Sequence, residues 1–372
     1  MTIAVNTRFY YSEKPVDFVQ FIINCISDLA HTYPEHHFIL IAENPMNTRF
    51  TSGGNIEEVI IRPRLNRILW YNFLLPTVLK RYKTDILVNV GDIFSAAVRI
   101  PQCTLVHEKV ILPGSHSVPK NMMRFYRKQL HGLLPKACSV LTLSEYTKSC
   151  LIKNFNIAGE KIDVLNPVAC SIFTPVDETT KENTRSHYAD GKEYFLYTGP
   201  LQLFYEQMNL FKAFSVFKKR QKSNMMLLIA GQQQNADELK KNLSTFKYRD
   251  AVKLTGALEP EGFAKLTASA YAIVYPVTSG DFPFRLTEAL QCGVPIITSP
   301  AANISELCGD AAIYCDPVSF TDIADKMMYL FKDENKKKEL GEKGPGRILT
   351  FTREKTAESF WRSILKCSLP VN

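Results

Sequence analysis

Residues 252–298 read VKLTGALEPEGFAKLTASAYAIVYPVTSGDFPFRLTEALQCGVPIIT. Three short runs of apolar and β-branched residues predict strands over 252–254, 272–275 and 294–297. The amphipathic stretches between them predict helices over 261–270 and 284–292. Strands that alternate with helices at this spacing are typical of a parallel sheet covered by helices.

The same alternation extends along the whole chain, with seven strands expected before residue 170 and six from residue 194. A polar stretch poor in large aliphatic residues separates the two series and predicts a linker over 176–193. We therefore expect two doubly wound, Rossmann-like α/β domains that face each other across a cleft. The first covers 1–175, the second covers 194–352, and a C-terminal helix at 353–372 could pack back on the first.

Composition excludes several classes of protein. The chain has 372 residues, of which 45% are hydrophobic and 22% are charged, so it is neither collagen-like, disordered nor a coiled coil. The formal net charge is +8, and residues 1–175 hold 19 Lys and Arg against 13 Asp and Glu. This balance allows anionic partners, but no nucleic-acid-binding motif accompanies it, so we expect no nucleic acid partner.

The chain has nine cysteines and no CxxC pair. We therefore expect the cysteines to be reduced and buried, as small hydrophobic residues of a cytosolic protein, and we expect no metal centre. Neither a signal peptide nor a membrane-spanning run is recognisable, so a cytoplasmic location is expected. Stretches 62–84 and 109–144 contain no acidic residue and are basic and amphipathic. They could place the first domain against an anionic membrane surface, or simply pack on the sheet with solvated basic faces.

The most informative stretch for chemistry is 275–298, because ligands of open α/β sheets bind beyond the carboxyl ends of the strands. A strand ends at Tyr275, a loop with Gly280 follows, and a helix begins near Phe284. The free amides at the start of this helix and its dipole suit a diphosphate. Arg285 places a cation in the first turn, where the positive end of the dipole repels it unless an anion binds nearby. Glu288 could accept hydrogen bonds from sugar hydroxyls. Alternatively, Arg285 and Glu288 form a surface ion pair.

Residues 288–317, EALQCGVPIITSPAANISELCGDAAIYCDP, resemble the donor-binding core of family 4 glycosyltransferases, also called glycosyl transferases group 1, which have the GT-B fold. FLYTGPLQ at 195–202 and LVHEKVILP at 105–113 resemble further family segments. The resemblance implies transfer of a sugar from a nucleotide-sugar donor to a glycan, lipid-linked or protein-linked acceptor. It also implies retention at the anomeric carbon, with no metal and no cofactor, and no Asp-x-Asp motif is present.

Site residues follow from the same resemblance. Glu288 matches the second glutamate of the family's Glu-x7-Glu motif, whereas Gly280 stands at the first, with Asp281 beside it. The amides of 282–284 would bind sugar hydroxyls and phosphate, and His107 would face the reacting sugar. The implied catalytic residues are His107, Asp281 and Glu288, and the implied donor-binding residues are Gly199, Gly280, Phe282, Pro283, Phe284, Arg285, Leu286 and Glu288.

Two segments depart from the family pattern. Residues 200–209, PLQLFYEQMN, contain no cation where the family carries an Arg and a Lys for the diphosphate. The first strand-to-helix turn, TRFYYSEK at 7–14, is bulky and lacks glycine. The turn predicts either an acceptor-side loop of unusual specificity or lost activity. The alternative function is a catalytically degenerate GT-B protein that acts as a binding or assembly subunit of another transferase, with the cleft plugged by Tyr10, Tyr11, Phe204 or Tyr205.

Overall fold

The computed structural model describes residues 1–8, 16–43, 54–61, 69–90, 95–111, 124, 128, 130–199, 204–231, 241, 243–244, 246–278 and 282–368. The chain divides into two compact units. The first unit comprises Met1–Pro167 together with Phe351–Asn372, and the second comprises Val168–Thr350. The division thus falls at 167 and 350, where the sequence predicted boundaries at 175 and 352.

The first unit contains a seven-stranded parallel sheet in the order β3-β2-β1-β4-β5-β6-β7. Most strand residues are buried on both faces, as expected for a parallel sheet covered by helices. The strands are β1 Thr2–Asn6, β2 His37–Ala42, β3 Ile56–Ile60, β4 Ile86–Asn89, β5 Gln102–Leu105, β6 Ser139–Thr142 and β7 Ile162–Val164. The helices described in this unit are Val16–Thr32, the π-helix Trp70–Leu74, Leu75–Arg81, Glu108–Ile111, Glu145–Phe155 and Arg353–Ser368.

The second unit contains a six-stranded parallel sheet in the order β10-β9-β8-β11-β12-β13. Its strands are β8 Tyr194–Tyr197, β9 Met226–Ala230, β10 Val252–Gly256, β11 Ala272–Tyr275, β12 Ile296–Thr298 and β13 Ala312–Tyr314. Its described helices are Glu178–Ala189, Phe204–Gln221, Pro260–Ala268, Phe284–Gln291, Ala302–Cys308, Phe320–Lys332 and Glu334–Ile348. Every strand expected from the sequence is therefore present, and the prediction of two doubly wound α/β units is confirmed.

The segment expected to be a linker, 176–193, instead contains the helix Glu178–Ala189. The Asp177 side chain caps its start by accepting a hydrogen bond of 2.7 Å from the backbone N–H of Thr180. Arg185 donates to Glu178 at 2.9 Å across the helix surface. Caps and ion pairs stabilise this helix although only Thr184 and Ala189 are buried in it, so hydrophobic periodicity gave little sign of it.

The helix Arg353–Ser368 belongs to the first unit and packs against β6 and β7. Asp163 in β7 accepts hydrogen bonds from Ser363 at 2.6 Å, Lys366 at 2.7 Å and Arg362 at 2.9 Å. Ser139 in β6 donates to the carbonyl oxygen of Ser363 at 2.7 Å. The chain therefore leaves the first unit, builds the second and returns to complete the first.

All nine cysteines are free thiols, and six of them are buried as the sequence predicted. Burial, followed by the neighbouring Glu288 charge, raises the pKa of Cys292 to about 12. Of the other three, Cys138 and Cys150 are half-buried and Cys170 is exposed. Within the part of the chain that the structure describes, no helix combines the length and the apolar character needed to cross a bilayer.

Candidate functional site in the second unit

The helix Phe284–Gln291 carries most of the predicted donor-binding residues. It begins beyond the carboxyl end of β11, whose four residues are all buried. Phe282 and Phe284 pack edge to face with ring centroids 5.1 Å apart, which holds the chain as it enters the helix. Gly293 ends the helix with a φ of +67°, a backbone conformation that residues with a Cβ atom rarely adopt. A buried strand, an aromatic contact and a glycine together position this helix.

Arg285 and Glu288 form an ion pair on this helix. Nη1 of Arg285 lies 3.1 Å from one carboxylate oxygen of Glu288 and 3.0 Å from the other. The guanidinium carbon of Arg285 also lies 4.2 Å above the ring centroid of Phe263. Only 9% of the Glu288 side chain is exposed, against 26% of the Arg285 side chain. The pair that spacing suggested therefore forms, but its carboxylate is buried instead of lying on the surface.

The backbone amides of 282–284 offer less than the sequence predicted. Pro283 has no N–H to donate. The N–H of Phe284 donates to the carbonyl of Phe282, and that of Leu286 donates to the carbonyl of Pro283, both at 2.9 Å. Leu286 itself is fully buried in the core. In the structure, the side chains of Arg285 and Glu288 are thus the groups with the clearest capacity to recognise a ligand here.

Gly199 shares this sheet edge. It follows β8 almost directly, and β8 pairs with β11 in parallel, so their carboxyl ends are neighbours. A Cβ atom at Gly199 would lie 2.6 Å from the Tyr197 ring, so only glycine fits at this position. The structure thus brings Gly199 and the start of the Phe284–Gln291 helix to one edge. Gly280 and Asp281 lie outside the described residues.

Tyr10 and Tyr11, which the alternative function placed in the cleft, also lie outside the described residues, as do the side chains of Phe204 and Tyr205. The proposed plug is therefore untested. Among the residues that are described, no group of three or more His, Cys, Asp or Glu side chains could hold a metal ion.

His107 lies in the first unit, at the carboxyl end of β5. It is 5% exposed, and its ring meets the Phe18 ring edge-on with centroids 4.3 Å apart. The next residue, Glu108, is a buried carboxylate that accepts hydrogen bonds from Ser144 and, at 2.9 Å, from Thr147. Because Ser144 caps the helix Glu145–Phe155, Glu108 ties the His107 turn to that helix. This role of Glu108 was not predicted from the sequence, although the N-cap residue Ser144 was an available signal.

Two doubly wound parallel sheets in one chain are the architecture of the GT-B fold. Within that class, residues 179–347 match the family model described as Glycosyl transferases group 1. The matched segment makes up most of the second unit.

Comparison with known proteins agrees. The chain is 26% identical over 235 residues to the O-antigen chain mannosyltransferase B of Escherichia coli, covering 62% of this chain and 61% of that protein. The matched region is thus under two thirds of that relative. A solved glycosyltransferase from Rickettsia africae superposes with a TM-score of 0.79 at 15% identity, covering 100% of this chain and 99% of that one. Anabaena Alr3699/HepE in complex with UDP and glucose has a TM-score of 0.78 at 14% identity, with 99% and 100% covered.

Proposed function

We propose that this chain is a retaining, metal-independent family 4 glycosyltransferase, which moves a sugar from a nucleotide-sugar donor to a glycan, lipid-linked or protein-linked acceptor. The observation that carries the proposal is the Arg285–Glu288 pair at the start of the Phe284–Gln291 helix. It combines a cation and a buried hydrogen-bond acceptor at a carboxyl edge, where ligands of parallel sheets bind.

The chemistry of the leaving group explains why this pair is useful. When the bond from the anomeric carbon to the nucleoside diphosphate breaks, negative charge builds up on the diphosphate. A positioned donor for such charge can contribute about 3 kcal/mol to the transition state. We assign that role to Arg285, which can exchange part of its contact with Glu288 for the phosphate. Glu288 would accept hydrogen bonds from the ribose hydroxyls of the donor.

Five other predicted residues keep their assigned roles in this proposal. Gly199 would allow the donor to approach the backbone after β8, while Gly280, Asp281 and the backbone at Phe282 would contact the transferred sugar. His107 would also contact the transferred sugar.

Two comparisons bear on the donor. The name of the Escherichia coli relative indicates mannose as the transferred sugar, and the Anabaena protein was solved with UDP and glucose. We infer a hexose carried by a nucleoside diphosphate. We also place the chain in the cytoplasm, where the basic first unit could contact a membrane surface.

Calorimetric titration with GDP-mannose, UDP-glucose, UDP-galactose and UDP-N-acetylglucosamine tests the donor site. We expect one of them to bind, and Glu288→Ala to weaken its affinity by about tenfold or more, because a hydrogen bond to a charged group is lost. Glu288→Gln, which keeps the shape of the side chain, should weaken binding less.

The matched control is Glu339→Ala. Glu339 also accepts from a cation three residues away on a helix of the second unit, Lys336 at 3.0 Å, but 43% of its side chain is exposed. Donor affinity should be unchanged in this variant. If all four donors bind the wild type and Glu288→Ala equally well, Glu288 has no part in the site.

One observation favours the degenerate alternative. Arg285 is already balanced by Glu288, and residues 200–209 bring no cation of their own, so the diphosphate would meet little net positive charge from these segments. A wild-type chain that is folded but gives no heat with any of the four nucleotide sugars would support a binding or assembly subunit.

A further inference from the structure

Three cysteines from distant parts of the chain meet where the helix Arg353–Ser368 packs on the first sheet. Cys103 lies in β5, Cys138 directly precedes β6, and Cys367 lies in the last turn of the helix. The helix packs against both of these strands. Cys103 and Cys367 are 0% and 2% exposed, whereas Cys138 is half-buried. Cys138 is therefore the member of this cluster that solvent reaches.

Ser139 and the pairing of the strands fix the positions of the three thiols. Ser139 is the register partner of Cys103 on the neighbouring strand, so the two side chains lie side by side on one face of the sheet. The hydroxyl oxygen of Ser139 lies 3.4 Å from the sulfur of Cys367. The N–H of Cys138 donates to the carbonyl of Gln102 at 3.0 Å, which holds Cys138 beside β5. The sulfur on the helix thus lies close to one thiol from each of the two strand segments.

The contacts within the cluster make Cys367 the most acidic of its three thiols. Hydrogen bonds with Cys103 first, and then with Ser139 and Cys138, outweigh burial and lower the pKa of Cys367 to about 7. Burial raises the pKa of both Cys103 and Cys138. The first thiolate of the cluster is therefore that of Cys367, and it lies beside a thiol that solvent reaches.

We propose that Cys138 and Cys367 form a thiol modification site, which a peroxide converts into a disulfide bond between the start of β6 and the C-terminal helix. The inference is independent of the proposed function. Cys138 attacks the O–O bond of the peroxide and becomes a sulfenic acid, with release of one water molecule. The Cys367 thiolate then attacks the sulfur of Cys138, the S–S bond forms, and hydroxide leaves with the proton that Cys367 has lost. Two thiols are oxidised, and one hydrogen peroxide is reduced to two water molecules.

Access to solvent and acidity assign different roles to the two thiols. Cys138 reacts first because the oxidant can reach it, and its raised pKa makes this the slow step. The attack by Cys367 follows quickly, since its thiolate is already present at neutral pH. Cys103 is fully buried and has a raised pKa, so it supports the Cys367 thiolate without forming the bond.

The disulfide bond would close a loop that contains the whole second unit, because Val168–Thr350 lies between the two cysteines in the sequence. It would also tie the returning helix covalently to the sheet that the helix completes. A covalent link across so long a loop restricts the unfolded chain. The first unit should therefore unfold at a higher temperature after oxidation.

Treatment of the full chain with hydrogen peroxide tests the proposal. A Cys170→Ser background removes the exposed thiol, which could otherwise join two copies of the chain. After alkylation of the remaining thiols, mass spectrometry should show the loss of two hydrogen atoms and a peptide pair that joins Cys138 to Cys367. Differential scanning calorimetry should show the transition of the first unit moved up by several degrees. Dithiothreitol should reverse both changes.

Variants separate the two bonded thiols from their neighbours. Cys138→Ser should abolish both the link and the temperature shift, and so should Cys367→Ser. Cys103→Ala should keep the link but form it more slowly, because Cys367 loses the contact that lowers its pKa most. The matched control is Cys150→Ser, since Cys150 is also half-buried in the first unit and its removal should leave the disulfide unchanged.

Three results would overturn the proposal. Peroxide may add only oxygen atoms to Cys138, which would mean that Cys367 does not reach it. The disulfide may join Cys103 to Cys367, or may still form in Cys138→Ser, and in both cases Cys138 is not the reacting thiol. Because Cys138 is half-buried, its variant decides the matter even where Cys367→Ser fails to fold.

Discussion

Glu288 and Asp163 are both buried carboxylates balanced by cations, but they obtain those cations in different ways. Glu288 finds Arg285 one helical turn away, so the pairing is local. Asp163 finds Arg362 and Lys366 about two hundred positions further along the chain. Burial alone would raise the pKa of Asp163, but the hydrogen bonds from Lys366, Ser363 and Arg362 outweigh it and leave the pKa below its usual value.

Asp163→Asn should therefore destabilise the first unit by about 1–3 kcal/mol at neutral pH, since charged hydrogen bonds are lost. Because the folded-state pKa of Asp163 is lowered, its stabilising effect is present above the unfolded pKa and is lost as the pH falls through the folded pKa. The difference between wild type and variant should thus shrink below about pH 4. Urea unfolding at several pH values measures it.

Asp325→Asn is the control for that experiment. Asp325 pairs with Arg220 at 3.1 Å, but both side chains are 58% exposed, so this pair should contribute less than about 0.5 kcal/mol. An equal loss of stability in both variants, or a difference that does not depend on pH, would contradict the structural role of Asp163.

Among the elements, the helix Arg353–Ser368 has the largest expected effect on stability. It completes the first unit, although the second unit lies between this helix and Pro167 in the sequence. Its Phe360 and Ile364 are almost fully buried, and Trp361 stacks on Tyr33 with ring centroids 4.1 Å apart. Without this helix, β6 and β7 would lose an apolar cover as well as the partners of Asp163.

A chain that ends after Thr350 should lose stability in the first unit only. Differential scanning calorimetry should show the unfolding transition of the first unit moved to lower temperature, because buried apolar surface becomes exposed. The transition of the second unit should stay where it is. A chain that ends after Ser368 keeps the helix and is the control. A shift of the second unit's transition instead would contradict the assignment of the helix to the first unit.

At the scale of the whole molecule, the excess of positive charge is uneven. Residues 1–175 carry most of it, and the helix Leu75–Arg81 ends in the exposed cations Lys80 and Arg81. Phe73, which precedes this helix, is 62% exposed. An exposed apolar ring and exposed cations on consecutive helical segments are a combination that suits an anionic membrane surface.

The protein should therefore sediment with vesicles that contain phosphatidylglycerol at low salt, and less so at high salt, because salt screens the attraction. Lys80→Glu combined with Arg81→Glu should reduce the bound fraction. The matched control is Lys219→Glu with Arg220→Glu, which reverses two exposed cations in the last turn of a helix of the second unit. Equal binding to neutral phosphatidylcholine vesicles, or equal effects of the two double variants, would refute a docking surface on the first unit.

Local patterns in the sequence were enough to predict the strands and the doubly wound class, and to offer the Arg285–Glu288 contact as one of two alternatives. All three depend on local periodicity, which is two residues in a strand and three to four in a helix. It did not indicate the helix Glu178–Ala189, since caps and surface ion pairs stabilise that helix more than a hydrophobic face does. The sequence also could not show that the Glu288 carboxylate is buried or that the Arg285 guanidinium lies over the Phe263 ring.

Contacts between distant residues became visible in the folded chain and not before. Arg8, Glu43 and Trp70 come from three separate segments, and parallel strand pairing brings the first two to one edge. Asp163 obtains its cations from the far end of the chain. Such contacts leave no periodic trace in the sequence, because a parallel sheet joins strands through long connections and the burial of each side chain depends on what the rest of the fold places beside it.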